Sequence, residues 1–171
     1  MSTIDTLISK LLSGSIPAFI ELYGTDSTEI SNQSQRYMEM LRKYKAAFET
    51  TEVEIFSAPG RTEIGGNHTD HNNGRVLAGA VNLDNIAVAA KNNSDIIHIE
   101  SIGYPNFEID LKTLNPVEQE QFTSASIVRG ISARIKELGY STGGFNAIID
   151  GRVPKGSGLS SSASFEVLIG T

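Results

Sequence analysis

Apolar side chains first recur at helical spacing and then, beyond about residue 50, every second position. Ile4, Leu7, Ile8, Leu11 and Leu12 lie three and four apart until Ser13-Gly14 ends the run, which predicts an amphipathic helix over 3–12. Tyr37, Leu41, Tyr44 and Phe48 repeat the signal and predict a second helix over 31–48. The period then changes. Val53-Glu54-Ile55-Phe56-Ser57 predicts a strand halted by Pro59-Gly60. Strands are also predicted over 86–90 and 97–101, joined as a hairpin across the polar turn Asn92-Asn93-Ser94-Asp95. Phe107 to Leu111 alternates after the Gly103-Tyr104-Pro105-Asn106 turn and predicts another strand. Ile127, Ile131, Ile135 and Leu138 predict a helix closed by Gly139 at its C-terminus. Phe145, Ala147 and Ile149 predict a last strand, and the serines after it open a helix. Strands come in neighbouring pairs with helices between groups, so the expected class is α+β with an antiparallel or mixed sheet. A doubly wound nucleotide fold is disfavoured by the same order.

Composition narrows the partners. Fourteen Lys and Arg against twenty Asp and Glu give a net charge of −6, which argues against binding a nucleic-acid backbone. There is no cysteine, which removes disulfides, thiolate zinc sites and cysteine nucleophiles and suits a reducing cytosol. No apolar run approaches the ~20 residues a bilayer helix needs. Met1-Ser2-Thr3-Ile4-Asp5 lacks the basic and apolar regions of a secretory signal, so a cytoplasmic location is expected. Sixteen glycines and many serines fall unevenly, concentrating in loops 57–74 and 151–164.

Pro154-Lys155-Gly156-Ser157-Gly158-Leu159-Ser160-Ser161-Ser162-Ala163-Ser164 lies between a predicted strand and a predicted helix. Glycines let backbone amides converge on an anion, and a helix start adds unpaired N–H groups and a favourable dipole end. No Gly-x4-Gly-Lys-Ser/Thr pattern occurs, and Ser161 stands where a dinucleotide fingerprint needs its third glycine. The stretch resembles the phosphate-binding motif of the small-molecule kinase superfamily that includes galactokinase, homoserine kinase, mevalonate kinase and phosphomevalonate kinase. Its triple serine followed by Phe165-Glu166-Val167 resembles the galactokinase branch.

Loop 58–74 reads Ala58-Pro59-Gly60-Arg61-Thr62-Glu63-Ile64-Gly65-Gly66-Asn67-His68-Thr69-Asp70-His71-Asn72-Asn73-Gly74. Asn, His, Asp and Arg side chains can answer the donor and acceptor hydroxyls of a sugar ring. This loop resembles the galactokinase signature, and with Val128-Arg129-Gly130 the likeness runs from about Tyr23 to Thr171. It implies an α+β fold of the galactokinase/mevalonate kinase N-terminal domain, ribosomal protein S5 domain 2-like, with a mixed or antiparallel sheet and helices on one side. It also implies a helical segment at 1–50 ahead of an incomplete N-terminal kinase domain at 51–171.

The implied reaction transfers the ATP γ-phosphoryl group to the C1 hydroxyl of galactose, with ATP and Mg²⁺ as the cofactors. By resemblance Arg61 stabilises the transition state, and Asn67, His68, Thr69 and Asp70 bind the sugar. Gly156, Ser157, Gly158, Leu159, Ser160, Ser161 and Ser162 surround the phosphates, Ser162 ligates Mg²⁺, and Ser101 touches the nucleotide. Asn67 stands where the family has glutamate and His71 where it has tyrosine, which opens galacturonate or another sugar as an alternative substrate. A non-catalytic sugar and nucleotide sensor would carry the same loops. His68, Asp70 and His71 give a hydrolase-like His-x-Asp-His, yet the third histidine, His98, alternates within a strand and is expected to face solvent or a neighbouring strand. The family's catalytic aspartate and Mg²⁺-sharing glutamate follow the phosphate loop, where only seven residues remain after Ser164. The expectation is a truncated chain, inactive alone and prone to self-association through exposed apolar surface.

Overall fold

The computed structural model of the chain describes residues 2–14, 16–66 and 73–171. Helix α1, Ile4–Leu12, begins at Thr3, whose side chain accepts a hydrogen bond from the Thr6 amide. A short α2, Ala18–Tyr23, follows. Its two buried aromatics, Phe19 and Tyr23, are too few to produce a readable helical period. Helix α3, Ser27–Ala47, starts four residues earlier than the aromatic period predicts, because Asp26 caps it by accepting from Glu29 N at 2.8 Å.

The sheet has six strands: β1 Ser2–Thr3, β2 Glu52–Gly65, β3 Leu77–Lys91, β4 Ile96–Ser101, β5 Phe107–Asp110 and β6 Phe145–Gly151. Their order is β1-β2-β3-β6-β4-β5, antiparallel throughout except for the parallel β4–β6 pair. Helix α4, Ser124–Glu137, precedes β6, and α5, Ser161–Gly170, follows it. Gly139 closes α4 as the sequence predicts, with φ 86° and the paired bonds Gly139 N to Lys136 O and Tyr140 N to Ile135 O. The mixed α+β class stands.

Three expectations are corrected. Pro59-Gly60 does not end a strand. Strand β2 continues to Gly65 through a register shift between Pro59 and Arg61, where a proline that cannot donate and a glycine with no side chain are accommodated. Residues 86–90 and 97–101 do not form a hairpin with each other, because β6 lies between them. The Asn92–Asp95 turn is spread around the start of β6: Gly144 N donates to Ser94 O at 2.9 Å and Asn92 N to Gly144 O at 3.2 Å. A Cβ on Gly144 would lie 2.5 Å from both Ile96 O and Ser94 O, so only glycine fits that gap.

The helices also occupy both faces of the sheet rather than one side. Ile86, Val88 and Ala90 of β3 and Ile148 of β6 pack with Leu11, Met40, Leu41 and Tyr44 of α1 and α3. The alternate residues Ala87, Ala147 and Ile149 pack with Ala125, Val128 and Leu168 of α4 and α5. Central strands apolar on both faces lack a period-two signature, which hides the second layer from the sequence pattern. Leu41 is fully buried in the first layer, and truncating such a side chain to alanine costs ~2–5 kcal/mol.

Candidate functional site

The glycine-serine loop leaves β6 at Gly151 and turns into α5. Gly156 and Gly158 have φ of 75° and 77°, conformations open to glycine at little cost, and Ser160 adopts the same left-handed region at φ 59°. Ser157 ties the turn together, donating its hydroxyl to Pro154 O at 2.7 Å and accepting from Leu159 N at 3.3 Å. Ser160 is the cap residue of α5 but makes no side-chain cap bond. The first-turn amides of α5 therefore face outward with the positive end of the helix dipole behind them.

The root of α5 is fixed by a buried polar pair. Ser164, 4 % exposed, donates its hydroxyl to Ala58 O of β2 at 2.7 Å and accepts from Asn85 Nδ2 of β3 at 2.9 Å. Arg61 N donates to Leu159 O at 3.0 Å, so β2 meets the loop directly. Gly60 makes that approach possible, since a Cβ there would lie 2.9 Å from Leu159 O. The Arg61 guanidinium is partly exposed and rests 3.1 Å from Glu63 Oε1.

A cleft of about 330 Å³ opens beside the loop and is lined by Ser101, Tyr104, Phe122, Lys155, Ser161 and Ser162, among others. Ser101 ends β4, and Ser161 and Ser162 form the first turn of α5. The structure thus brings three of the sequence-selected residues together. Arg61 and residues 156–160 do not line this cleft; they lie along β2 and the loop itself. A larger groove of about 1090 Å³ runs between residues 112–121 and α4; Arg129 and Gly130 line it, but none of the residues given a binding or catalytic role does. Asn67, His68, Thr69 and Asp70, with His71 of the hydrolase-like pattern, lie outside the described residues. His98 does meet a neighbouring strand, with Nδ1 2.8 Å from Glu108 Oε1 of β5, and its ring stands edge-on to Phe48 at the end of α3. Among the described residues no group of three His, Cys, Asp or Glu is placed to hold a metal ion.

Two arginine clusters escape the sequence reading. Arg36, in the middle of α3 and 4 % exposed, bridges Asp84 of β3 at 2.6 Å and Asp150 of β6 at 2.5 Å. Burial acts to lower the Arg36 pKa, and the hydrogen bonds and charges of Asp84 and Asp150 outweigh it, so the group is held above its ordinary value. Tyr23 donates to Asp84 Oδ2 at 2.7 Å, and its hydroxyl lies 2.7 Å from that of Tyr37. Burial first, then these neighbours, push the Tyr23 hydroxyl well above the usual tyrosine range. Polar residues on an otherwise amphipathic helix carry no pattern that distinguishes a buried charge from a solvated one. The second cluster does have a sequence signal, in Val128-Arg129-Gly130. Arg129 binds both Glu120 oxygens, at 2.6 and 2.7 Å, and donates to Thr113 O. Those hydrogen bonds hold the Glu120 carboxyl below its usual range.

Residues 42–91 match the galactokinase galactose-binding signature, and residues 126–171 match the GHMP kinases N terminal domain. The chain is similar in structure to Lactococcus lactis galactokinase, solved in complex with galactose, at 28% identity and a TM-score of 0.64 over 93% of this chain and 35% of that one. It shares its fold with Methanococcus jannaschii mevalonate kinase, at 19% identity and a TM-score of 0.56, over 69% of this chain and 38% of the other. The chain thus spans little more than a third of the length of these two proteins. No helix among the described residues is long and apolar enough to cross a membrane.

Proposed function

We propose that this chain, a GHMP kinase chain carrying the galactokinase galactose-binding signature, forms the sugar- and phosphate-binding part of an ATP-dependent galactose 1-kinase. The observation that carries the reading is the Arg61 N to Leu159 O bond, which joins the sugar-signature strand to the phosphate loop. A kinase needs its acceptor and donor in one frame, because phosphoryl transfer depends on aligning the attacking and leaving oxygens and neutralising charge.

The residues present suit a nucleotide phosphate group. Left-handed Gly156, Gly158 and Ser160 turn the loop, the amides of the first turn of α5 are free of helical partners, and Lys155 adds positive charge at the cleft. In this reading the loop amides bind the phosphates, Ser101 contacts the nucleotide and the Ser162 hydroxyl holds Mg²⁺. Bound Mg²⁺-ATP supplies the transferable phosphoryl group and a counter-charge for it. Arg61 offsets the negative charge that develops during transfer, and Asn67, His68, Thr69 and Asp70 orient the sugar so that its C1 hydroxyl faces the donor. The reaction yields galactose 1-phosphate and ADP. A chain without cysteine is in keeping with action in a reducing cytoplasm.

The test is ADP release by the full-length protein on galactose, galacturonate and N-acetylgalactosamine. Galactose is expected to give the highest kcat/KM, and Arg61→Ala to lower kcat about 10²- to 10³-fold. A lower rank for galactose than for either rival overturns the substrate, and tight galactose and ATP binding without turnover overturns the enzyme in favour of a sensor.

A further inference from the structure

The Arg36 cluster is more completely built than packing requires. All five guanidinium N–H groups have acceptors. Nε reaches Asp150 Oδ2, Nη1 reaches Asp84 Oδ1 and Gln33 Oε1, and Nη2 reaches the backbone oxygens of Asp150 at 2.9 Å and Asp84 at 3.2 Å. Asp84 Oδ2 is filled by the hydroxyls of Tyr23 and Ser57. A helix side chain therefore binds the backbones of two neighbouring strands as well as their carboxylates. Well-packed apolar residues often hold such elements together as firmly, so a buried ion-pair centre of this kind is weak evidence for a role in stability alone.

Its position suggests what else it does. Asp84 pairs with Pro59, the last β2 residue before the register shift that leads to Arg61. Asp84 O also accepts Arg152 N at 2.9 Å, at the first residue beyond β6, where the phosphate loop begins. Asp150 pairs with Ile86, and Gly151 with Asn85, whose amide holds Ser164. The cluster thus sits where the strand bearing Arg61 and the strand feeding the phosphate loop diverge toward the site.

Building on the kinase reading above, we propose that Arg36 is a positioning residue that fixes the phosphate loop relative to Arg61 through Asp84 and Asp150. Lysine keeps the charge but cannot present a planar fork to two carboxylates and two carbonyls. In the full-length protein, Arg36→Lys is expected to lower kcat on Mg²⁺-ATP and galactose about 10- to 100-fold, the effect of a misplacement on the order of 1 Å. The KM values should stay within about threefold, since the contacts to each substrate are intact. Hydrogen exchange at residues 151–160 should quicken while that of α1 does not. Asp150→Asn keeps the Asp84 pair and should shift kcat in the same direction by less; it carries the test if Arg36→Lys does not fold. Exposed Lys45→Ala serves as the control and should match the parent enzyme.

A lower Tm with unchanged kcat in Arg36→Lys, or unchanged kcat in Asp150→Asn, overturns the proposal and leaves a structural role. If the parent protein transfers phosphate to none of the sugars, the kinase reading fails separately. Loop exchange then decides the positioning role: faster exchange at 151–160 in Arg36→Lys supports it and unchanged exchange refutes it.

Discussion

Ser164 closes the serine run of the phosphate loop, yet its hydroxyl faces the interior. Replacing it with alanine removes a donor to Ala58 O and an acceptor for Asn85 Nδ2 at a site 4 % exposed, while the methyl group still fits. Each of the two buried polar partners left unmatched costs ~1–3 kcal/mol, so the expected loss is about 2–6 kcal/mol. At roughly 2–4 °C per kcal/mol for a domain of this size, Tm should fall by about 4–24 °C. Differential scanning fluorimetry of the full-length protein measures it. A double-mutant cycle with Asn85→Ala isolates the side-chain pair, because Asn85→Ala alone leaves Ser164 its bond to Ala58. The coupling should exceed about 0.5 kcal/mol, the limit within which independent sites add. A Tm change under 2 °C for Ser164→Ala, or strict additivity, would refute the claim that this hydroxyl anchors α5 to β2 and β3.

Gly60→Ala puts a Cβ 2.9 Å from Leu159 O and 3.0 Å from Val153 Cγ1, so either β2 or the loop must move; a loss of about 1–3 kcal/mol and weaker Mg²⁺-ATP binding by calorimetry are expected. Arg129 holds the Glu120 carboxyl below its ordinary 4.5, so the pair adds stability above about pH 4.5 that is lost as pH falls through the lower folded value; Glu120→Gln should flatten Tm against pH in that acid range and leave the slope near neutrality unchanged. Tyr44 is fully buried, burial pushes its hydroxyl up to about 12, and the group has no hydrogen-bond partner of normal geometry among the described residues. Tyr44→Phe should therefore raise stability at pH 7 by about 1 kcal/mol, because it removes a buried hydroxyl that has left water without gaining a partner. It should also lessen the decline above pH 10, where the unfolded tyrosine ionises and the buried one does not.

Local signals determined a good deal. Spacing and capping residues in the sequence account for α1, most of α3, α4 with its Gly139 stop, and the positions of strands β4 to β6, since helical period, caps and strand alternation are written in residues a few positions apart. The glycine-serine loop between β6 and α5 was legible for the same reason, since turn conformations are properties of contiguous residues, whereas the stretch expected as a loop over 57–74 is strand β2 as far as Gly65. Only the tertiary structure decided which strands pair. The Asn92–Asp95 turn has hairpin length, and what overrides it is the fit of Gly144 and the rest of β6 between β3 and β4, brought in from some fifty residues away. The extension of β2 past Pro59-Gly60 likewise depends on β3 as a partner.

The site divides in the same way. Ser101, Ser161 and Ser162 could be selected singly from the sequence, but their convergence on one cleft needs β4 and α5 side by side. Arg36, Asp84 and Asp150 could not be selected at all, because the sequence separates them by 48 and 114 residues and nothing local marks a charge as buried. Sequence fixes what each segment can do on its own; long-range packing decides which polar groups leave water together, and so which of them become part of one machine.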